Sequence, residues 1–391
     1  LVGWQIALGC LVAPSLYLAL RHLHPQGAFL GALFVALDPQ TAYLGQLVAT
    51  EALYIALLGL GMAVFFWALS RPLPWYHWVG VGVFLALGCF ARPVGMLLIV
   101  PYVFFQLAQT RRLRGALALM AGYALVFLCL SGLHWWRFDF FAPNNNSGLY
   151  LGTRLFGVGG LYDPANGPES QYIYDLAQGC NLDLTDQADA EGLVMTRRLR
   201  GCLYMAGMDL EEISQTYQRV YAEATRARPL IFLQTMFQQA RRYLWMTSDP
   251  IDLAGAEAFI ADCEAPRESW YDAGHLFCPT LPSPLAPLRP LFFYALLAFS
   301  GLTRALNFAL AAWVFRRASP PLRWLLLFCL GFYAYHVVVT AFAGTILSRY
   351  ITVTNVYLLI ALGFSLALLY RPAPSQNTGG RPLKDRPPYR T

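Results

Sequence analysis

Five residues have types and positions that suit chemistry at the edge of an apolar barrier: Asp38, Glu51, Arg92, Arg349 and Tyr350. Each stands at or near the end of an apolar run. Glu51 opens one run, Arg92 closes another directly before Pro93, Arg349 and Tyr350 head the last, and Asp38 precedes Pro39 inside a fourth. Ionisable groups are costly in hydrocarbon, so each is a functional candidate and its depth matters more than the number of such groups. A guanidinium offers a planar fork of donors that can hold phosphate oxygens bidentately, and a carboxylate accepts protons or hydrogen bonds. Together they suit a substrate with an anionic head and a lipid tail that remains in the bilayer. The same pattern also fits arginines that merely snorkel to the interface or pair with Glu51 and Asp38. On residue type alone, both readings stand.

The elements that must position these groups are membrane spans. Of the 391 residues, 57% are apolar and 13% charged. The apolar residues come in blocks near the ~20 residues a helix needs to cross a bilayer. The spacing predicts an all-α polytopic membrane protein, with spans over 1–20, 27–48, 50–70, 76–92, 93–109, 115–135, 291–315, 322–343 and 347–370. That is about nine crossings. The span 27–48 is interrupted by Asp38-Pro39 and reads as a short or broken helix. If all cross, Arg21, Arg71, Arg111, Arg112, Arg114, Arg316, Arg317, Arg323 and the tail after Arg371 share one face, which the positive-inside rule makes cytoplasmic. Asp38, Glu51, Arg92 and Arg349 then share the external face. The chain enters its first apolar run at Leu1 without a charged flank, which reads as a fragment lacking its true start.

The expected organisation is an amino-terminal bundle of about six spans over 1–135, an external domain over 136–290, a carboxy-terminal bundle of about three spans over 291–370, and a disordered cytoplasmic tail over 371–391. The external insertion is mainly helical and holds most of the acidic residues. It also holds Cys180, Cys202, Cys263 and Cys278, an even number that suggests two disulfides in an oxidising compartment. The simplest pairing is Cys180 with Cys202 and Cys263 with Cys278, although four cysteines allow three pairings, and free thiols remain an alternative. Within it, Asp209 to Glu212 has the form of a capping box, with apolar residues recurring at Ile213, Tyr217, Val220, Tyr221 and Ala224, and the helix should stop near Pro229. The run 230–246 is amphipathic, suited either to the membrane surface or to a buried helix of the external domain.

Two further polar residues fall within spans. Arg304 lies near the middle of 291–315 with Asn307 one turn away, and His336 lies within 322–343. Arg304 fits a pair with a carboxylate upstream of Leu1 or a break between two shorter helices, and it is assigned no role; His336 fits packing better than catalysis. The sequence has no His-Glu-x-x-His, Cys-x-x-Cys, phosphate loop or Gly-x-Ser-x-Gly, and so no metal or nucleophile signature. Asn145-Asn146-Ser147 matches a three-residue glycosylation acceptor, which matters only in a eukaryotic source. The basic residues are nearly all arginine and serve topology, with no nucleic-acid patch.

Three stretches carry a family resemblance: Leu37 to Glu51 (Leu-Asp-Pro-Gln-Thr-Ala-Tyr-Leu-Gly-Gln-Leu-Val-Ala-Thr-Glu), Gly88 to Pro93 (Gly-Cys-Phe-Ala-Arg-Pro), and Tyr335-His336 leading to Arg349-Tyr350. In order and spacing they resemble the integral-membrane glycosyltransferases of the GT-C fold, nearest the branch of protein O-mannosyltransferases and the aminoarabinose transferases that modify lipid A. The segment Tyr217 to Tyr243, with Arg-Ala-Arg-Pro229 and Arg241-Arg242, also resembles the stretch before the late spans of that group.

The resemblance implies inverting transfer of a sugar from a polyprenyl-phosphate donor to a lipid, glycan or protein acceptor at the external face, with no other cofactor. It implies a catalytic base in the first external loop, which would precede Leu1, leaving Glu51 or Asp38 to orient that base or the acceptor. Arg92, Arg349 and Tyr350 would bind the donor, and a bacterial inner membrane is the expected location. A transporter, or another lipid-linked glycan enzyme such as a ligase or polymerase, is the alternative. A transporter would place polar groups near the midplane, often in two related halves.

Overall fold

The structure is a computed structural model that describes residues 2–38, 50–71, 73–91, 97–138, 141, 147–156, 161–184, 192–245, 304–343 and 354–370. The described residues are helical, with no strand among them. Six helices precede the insertion: α1 (Val2–Leu20), α2 (Pro25–Leu37), α3 (Thr50–Leu69), α4 (Trp75–Ala91), α5 (Ile99–Thr110) and α6 (Leu113–Phe138). The middle region contributes α7 (Ser147–Leu155), α8 (Pro168–Gly179), α9 (Gly192–Met205), α10 (Leu210–Ala227) and α11 (Pro229–Trp245). Helices α12 (Arg304–Phe315), α13 (Pro320–Ala343) and α14 (Asn355–Leu369) complete the bundle.

Among the described residues, two helices are long and apolar enough to cross a membrane, Leu113–Arg137 within α6 and Pro320–Phe342 within α13. α2 is shorter than the span expected over 27–48, and local chemistry explains why. α2 stops at Leu37 because Pro39 disfavours the helical conformation for the residue before it, and Asp38 is extended with φ −64° and ψ 111°. At the other end of α2, His24 caps the helix by accepting the Gly27 N–H through Nδ1 at 3.0 Å, with Pro25 opening the first turn. α5 ends at Arg111, which is left-handed at φ 53° and donates its backbone N–H to the Leu107 carbonyl.

The bundle helices alternate in direction, as close contacts show. A Cβ on Gly27 would strike Phe364 and one on Gly31 would strike Ile360, while one on Gly363 would strike the Gly31 backbone. The Gly27-x-x-x-Gly31 face of α2 therefore lies directly against α14, running antiparallel. Gly82 of α4 and Gly122 of α6 make the same approach, against Leu119 and Val79 respectively. One continuous core joins α1 to α6 with α12, α13 and α14, including Leu16, Tyr54, Phe65, Tyr102, Phe328, Tyr357 and Phe364. Aromatic rings dominate it: Phe65 meets Tyr102 edge-on at 4.7 Å, and Phe332 stacks on Tyr357 at 4.0 Å. Outward-facing Leu117, Leu125, Leu128 and Leu133 of α6 remain exposed, as suits a lipid-facing flank.

This alternation brings the arginine-bearing turns to one end. Arg71 lies close enough to the α1–α2 turn to act electrostatically on His22, whose pKa burial, and after it Arg71, hold below the ordinary histidine value.

The middle helices form a second apolar cluster built on Leu155, Ile173, Leu199, Ile213, Tyr217, Val220 and Phe232. The capping box is present: Glu212 N–H donates to Asp209 at 2.8 Å and Asp209 N–H to Glu212 at 3.0 Å. α10 buries Ile213, Tyr217, Val220, Tyr221 and Ala224, the expected stripe, and ends at Ala227 before Pro229. The Glu223 carboxylate accepts the N–H groups of Glu169 and Ser170 at the start of α8, at 3.0 and 2.8 Å. Cys180 and Cys202 form a disulfide with Cα atoms 6.0 Å apart, tying the end of α8 to α9. Cys263 and Cys278, the proposed second pair, lie outside the described residues, as does the glycosylation match at Asn145.

Candidate functional site

The site is assembled where α2, α5, α12, α13 and α14 come to one level. Proline chemistry places Asp38, half-buried, just past the end of α2. Across from it, Arg304 at the first described position of α12 is 2% exposed, with its guanidinium 5.5 Å from the centre of the Tyr333 ring. Asp38 is near enough to act on Arg304 electrostatically. One turn along α12, the buried Asn307 donates its amide N–H to the Leu358 carbonyl of α14.

On α13, the Tyr335 hydroxyl donates to the Leu97 carbonyl at 2.7 Å, directly before α5. His336 is buried with its ring parallel to that of Phe332, 6.5 Å away. One turn deeper, the hydroxyls of Tyr102 and Tyr357 share a hydrogen bond of 2.7 Å across α5 and α14.

These contacts fix a common level. Pairings of Gly27 with Phe364 and Gly31 with Ile360 extrapolate to Asp38 opposite the residues before Asn355. Phe332 against Tyr357, Tyr335 against Leu97 and Asn307 against Leu358 carry the same plane through α13, α5 and α12. Arg304 thus stands with Asp38 and Tyr333. Asp38 is the carboxylate that acts on it electrostatically.

Of the expected site residues, Asp38 is brought into this cluster. Glu51 lies in the first turn of α3, with its side chain outside the described residues. Arg92, Arg349 and Tyr350 also lie outside them; Arg92 directly follows α4, and Arg349 and Tyr350 closely precede Thr354 and α14. Sequence reasoning gave Arg304 no role and overlooked Tyr333. The available signal was a charged residue and an amide three apart on an apolar run.

The middle helices cover this end of the bundle. Tyr221 of α10 donates its hydroxyl to the Phe342 carbonyl at 2.9 Å, and Phe232 of α11 meets the Phe342 ring edge-on at 5.6 Å. Buried Arg154 of α7 donates to the Thr235 hydroxyl of α11. Chemically, the arrangement is a cation and a carboxylate held in a mainly apolar wall, roofed by a separate helical layer.

Residues 2–136 match the family model described as dolichyl-phosphate-mannose-protein mannosyltransferase. No curated protein and no solved structure matches the chain. The matched stretch takes in Asp38, Glu51 and Arg92 and ends within α6. Over those six helices the chain is similar to mannosyltransferase-type enzymes, and the match, together with an all-helical, apolar architecture, supports a membrane glycosyltransferase of the GT-C type.

Proposed function

We propose that this protein transfers a sugar, with inversion, from a polyprenyl-phosphate donor to a lipid, glycan or protein acceptor at the external membrane face. The observation that carries the reading is the grouping of Asp38 with Arg304 at one end of a bundle whose first six helices resemble mannosyltransferases. The helix ends that lead to Glu51, Arg92 and Arg349 lie at that same end. The Cys180–Cys202 disulfide supports an oxidising, external compartment for the roofing helices. Opposite them, the turns rich in arginine suit the cytoplasmic side of an inner membrane.

In this mechanism the lipid phosphate leaves as the acceptor hydroxyl attacks the anomeric carbon, and negative charge builds on the phosphate oxygens. Arg92 and Arg349 hold those oxygens and stabilise that charge, while Tyr350 donates a hydrogen bond to the same head group. Glu51 and Asp38 orient the acceptor, with Arg304 beside Asp38. The acceptor hydroxyl gives its proton to a general base as the new bond forms.

The test is sugar transfer by the full protein in membrane vesicles given radiolabelled polyprenyl-phosphate mannose. Arg349→Ala should lower kcat about 10²–10³-fold, the usual loss of one transition-state donor, with little change in acceptor KM. Transfer at the unaltered rate would remove the proposed role of Arg349, and no donor-dependent transfer from any polyprenyl-phosphate sugar would overturn the reading.

A further inference from the structure

The transfer reading makes no use of the outer face of α11. Its inner face is committed to the bundle: Phe232, Thr235 and Gln239 are buried, and Met236 and Ala240 join the cluster of Tyr333, Val337, Ala341 and Leu358. The other half of the helix is open, with Leu230 79%, Leu233 51% and Phe237 71% exposed. At about 100° per residue, these three fall side by side on one flank. Gln234 and Gln238, also exposed, fall on the opposite flank, with Arg241 turned toward their side.

A helix standing in water has no use for such an apolar flank, and one sunk in hydrocarbon would leave two glutamines without partners. The division within the open half fits the plane between the two media. The neighbouring helix sets the height of that plane. α13 is long and apolar enough to cross a bilayer, and its own outward Val338 and Phe342 are about half exposed. Phe342 touches Phe232 of α11, so the lipid-facing surface of a span passes onto α11 near that span's end.

We propose that α11 lies in the membrane interface on the side of the roofing helices, as an interfacial helix. Leu230, Leu233 and Phe237 rest on the acyl chains, and Gln234, Gln238 and Arg241 meet the head groups. The long arginine side chain reaches the phosphates while its methylene stem covers apolar surface. The partner is the phospholipid leaflet itself, and the inference is independent of which reaction the site performs.

The experiment places photoreactive p-benzoylphenylalanine at Leu233, at Phe237 and, as a control, at Gln215 on the exposed side of α10, each in the full chain in its native membrane. After irradiation, intact mass should show phospholipid adducts at the two α11 positions and none at Gln215. Adducts at none of the positions, or at all three alike, would overturn the proposal. So would attachment at Leu233 and Phe237 to a second copy or another protein in place of lipid. All three substitutions are on open surface, and unchanged thermal unfolding of each labelled protein serves as the check on folding.

Discussion

At the residue scale, Arg304 shows what a buried cation requires. Its guanidinium lies over the Tyr333 ring and near Asp38, a contact that a lysine copies only in part because an ammonium has no planar face. Arg304→Met should lower stability by on the order of 2 kcal/mol and leave Asp38 without its neighbouring charge, and Arg304→Lys should recover part of that loss. Thermal unfolding of the purified protein in detergent would rank the three. Equal midpoints would mean that Asp38 and Tyr333 contribute nothing to the site's cohesion.

Tyr221 gives a residue-scale prediction in pH. Burial pushes its pKa up to about 12 while its hydroxyl donates to Phe342. A group whose folded pKa is raised contributes stability below its unfolded pKa of about 10 and loses it as pH rises toward the folded value. Tyr221→Phe should therefore flatten the fall in stability between about pH 10 and 12. An unchanged slope would point to other tyrosines. Asp38 was legible in the sequence because a proline follows it. Tyr333 was not, since an aromatic residue in an apolar run gives no sign of the cation that will lie over it.

At the element scale, α10 was readable nearly whole, because an acid three residues before a glutamate and a periodic stripe are local facts that the fold had no reason to override. The span ends were less readable. Hydropathy measures where an apolar run stops, whereas α2 stops at Leu37, at the Asp38-Pro39 break inside the run 27–48. The run 230–246 suited both a membrane-surface helix and a buried one, because one half of α11 packs on α13 and the other remains open. The disulfide between α8 and α9 closes a loop with a sequence separation of 22. Its replacement by Cys180→Ser with Cys202→Ser should cost about 3 kcal/mol in the roofing helices, read as a lower unfolding midpoint or faster proteolysis between α8 and α9. If reductant leaves both unchanged, the crosslink adds nothing to this layer's stability.

At the scale of the whole molecule, local pattern carries the helices but not their partners. Nothing in the composition of α2 says that it faces α14, more than 300 residues away; only the spacing of Gly27 and Gly31 hints at a close neighbour. Gly31→Leu should drive these two helices apart and displace Asp38, so that both unfolding temperature and sugar transfer fall together. Loss of stability with transfer per folded molecule intact would separate this contact from the site. The same pairing bears on biosynthesis. The ribosome completes α2 long before α14, so through most of translation its glycine face must be occupied by lipid or by a translocon wall. A carboxylate placed beside that face cannot settle near its arginine until α12 has emerged, and the closest helix contact on that side of the protein is also the last to form. The newborn chain would thus remain without its α2–α14 contact until α14 is inserted, and the grouping of Asp38 with Arg304 would wait on the helices made just before it.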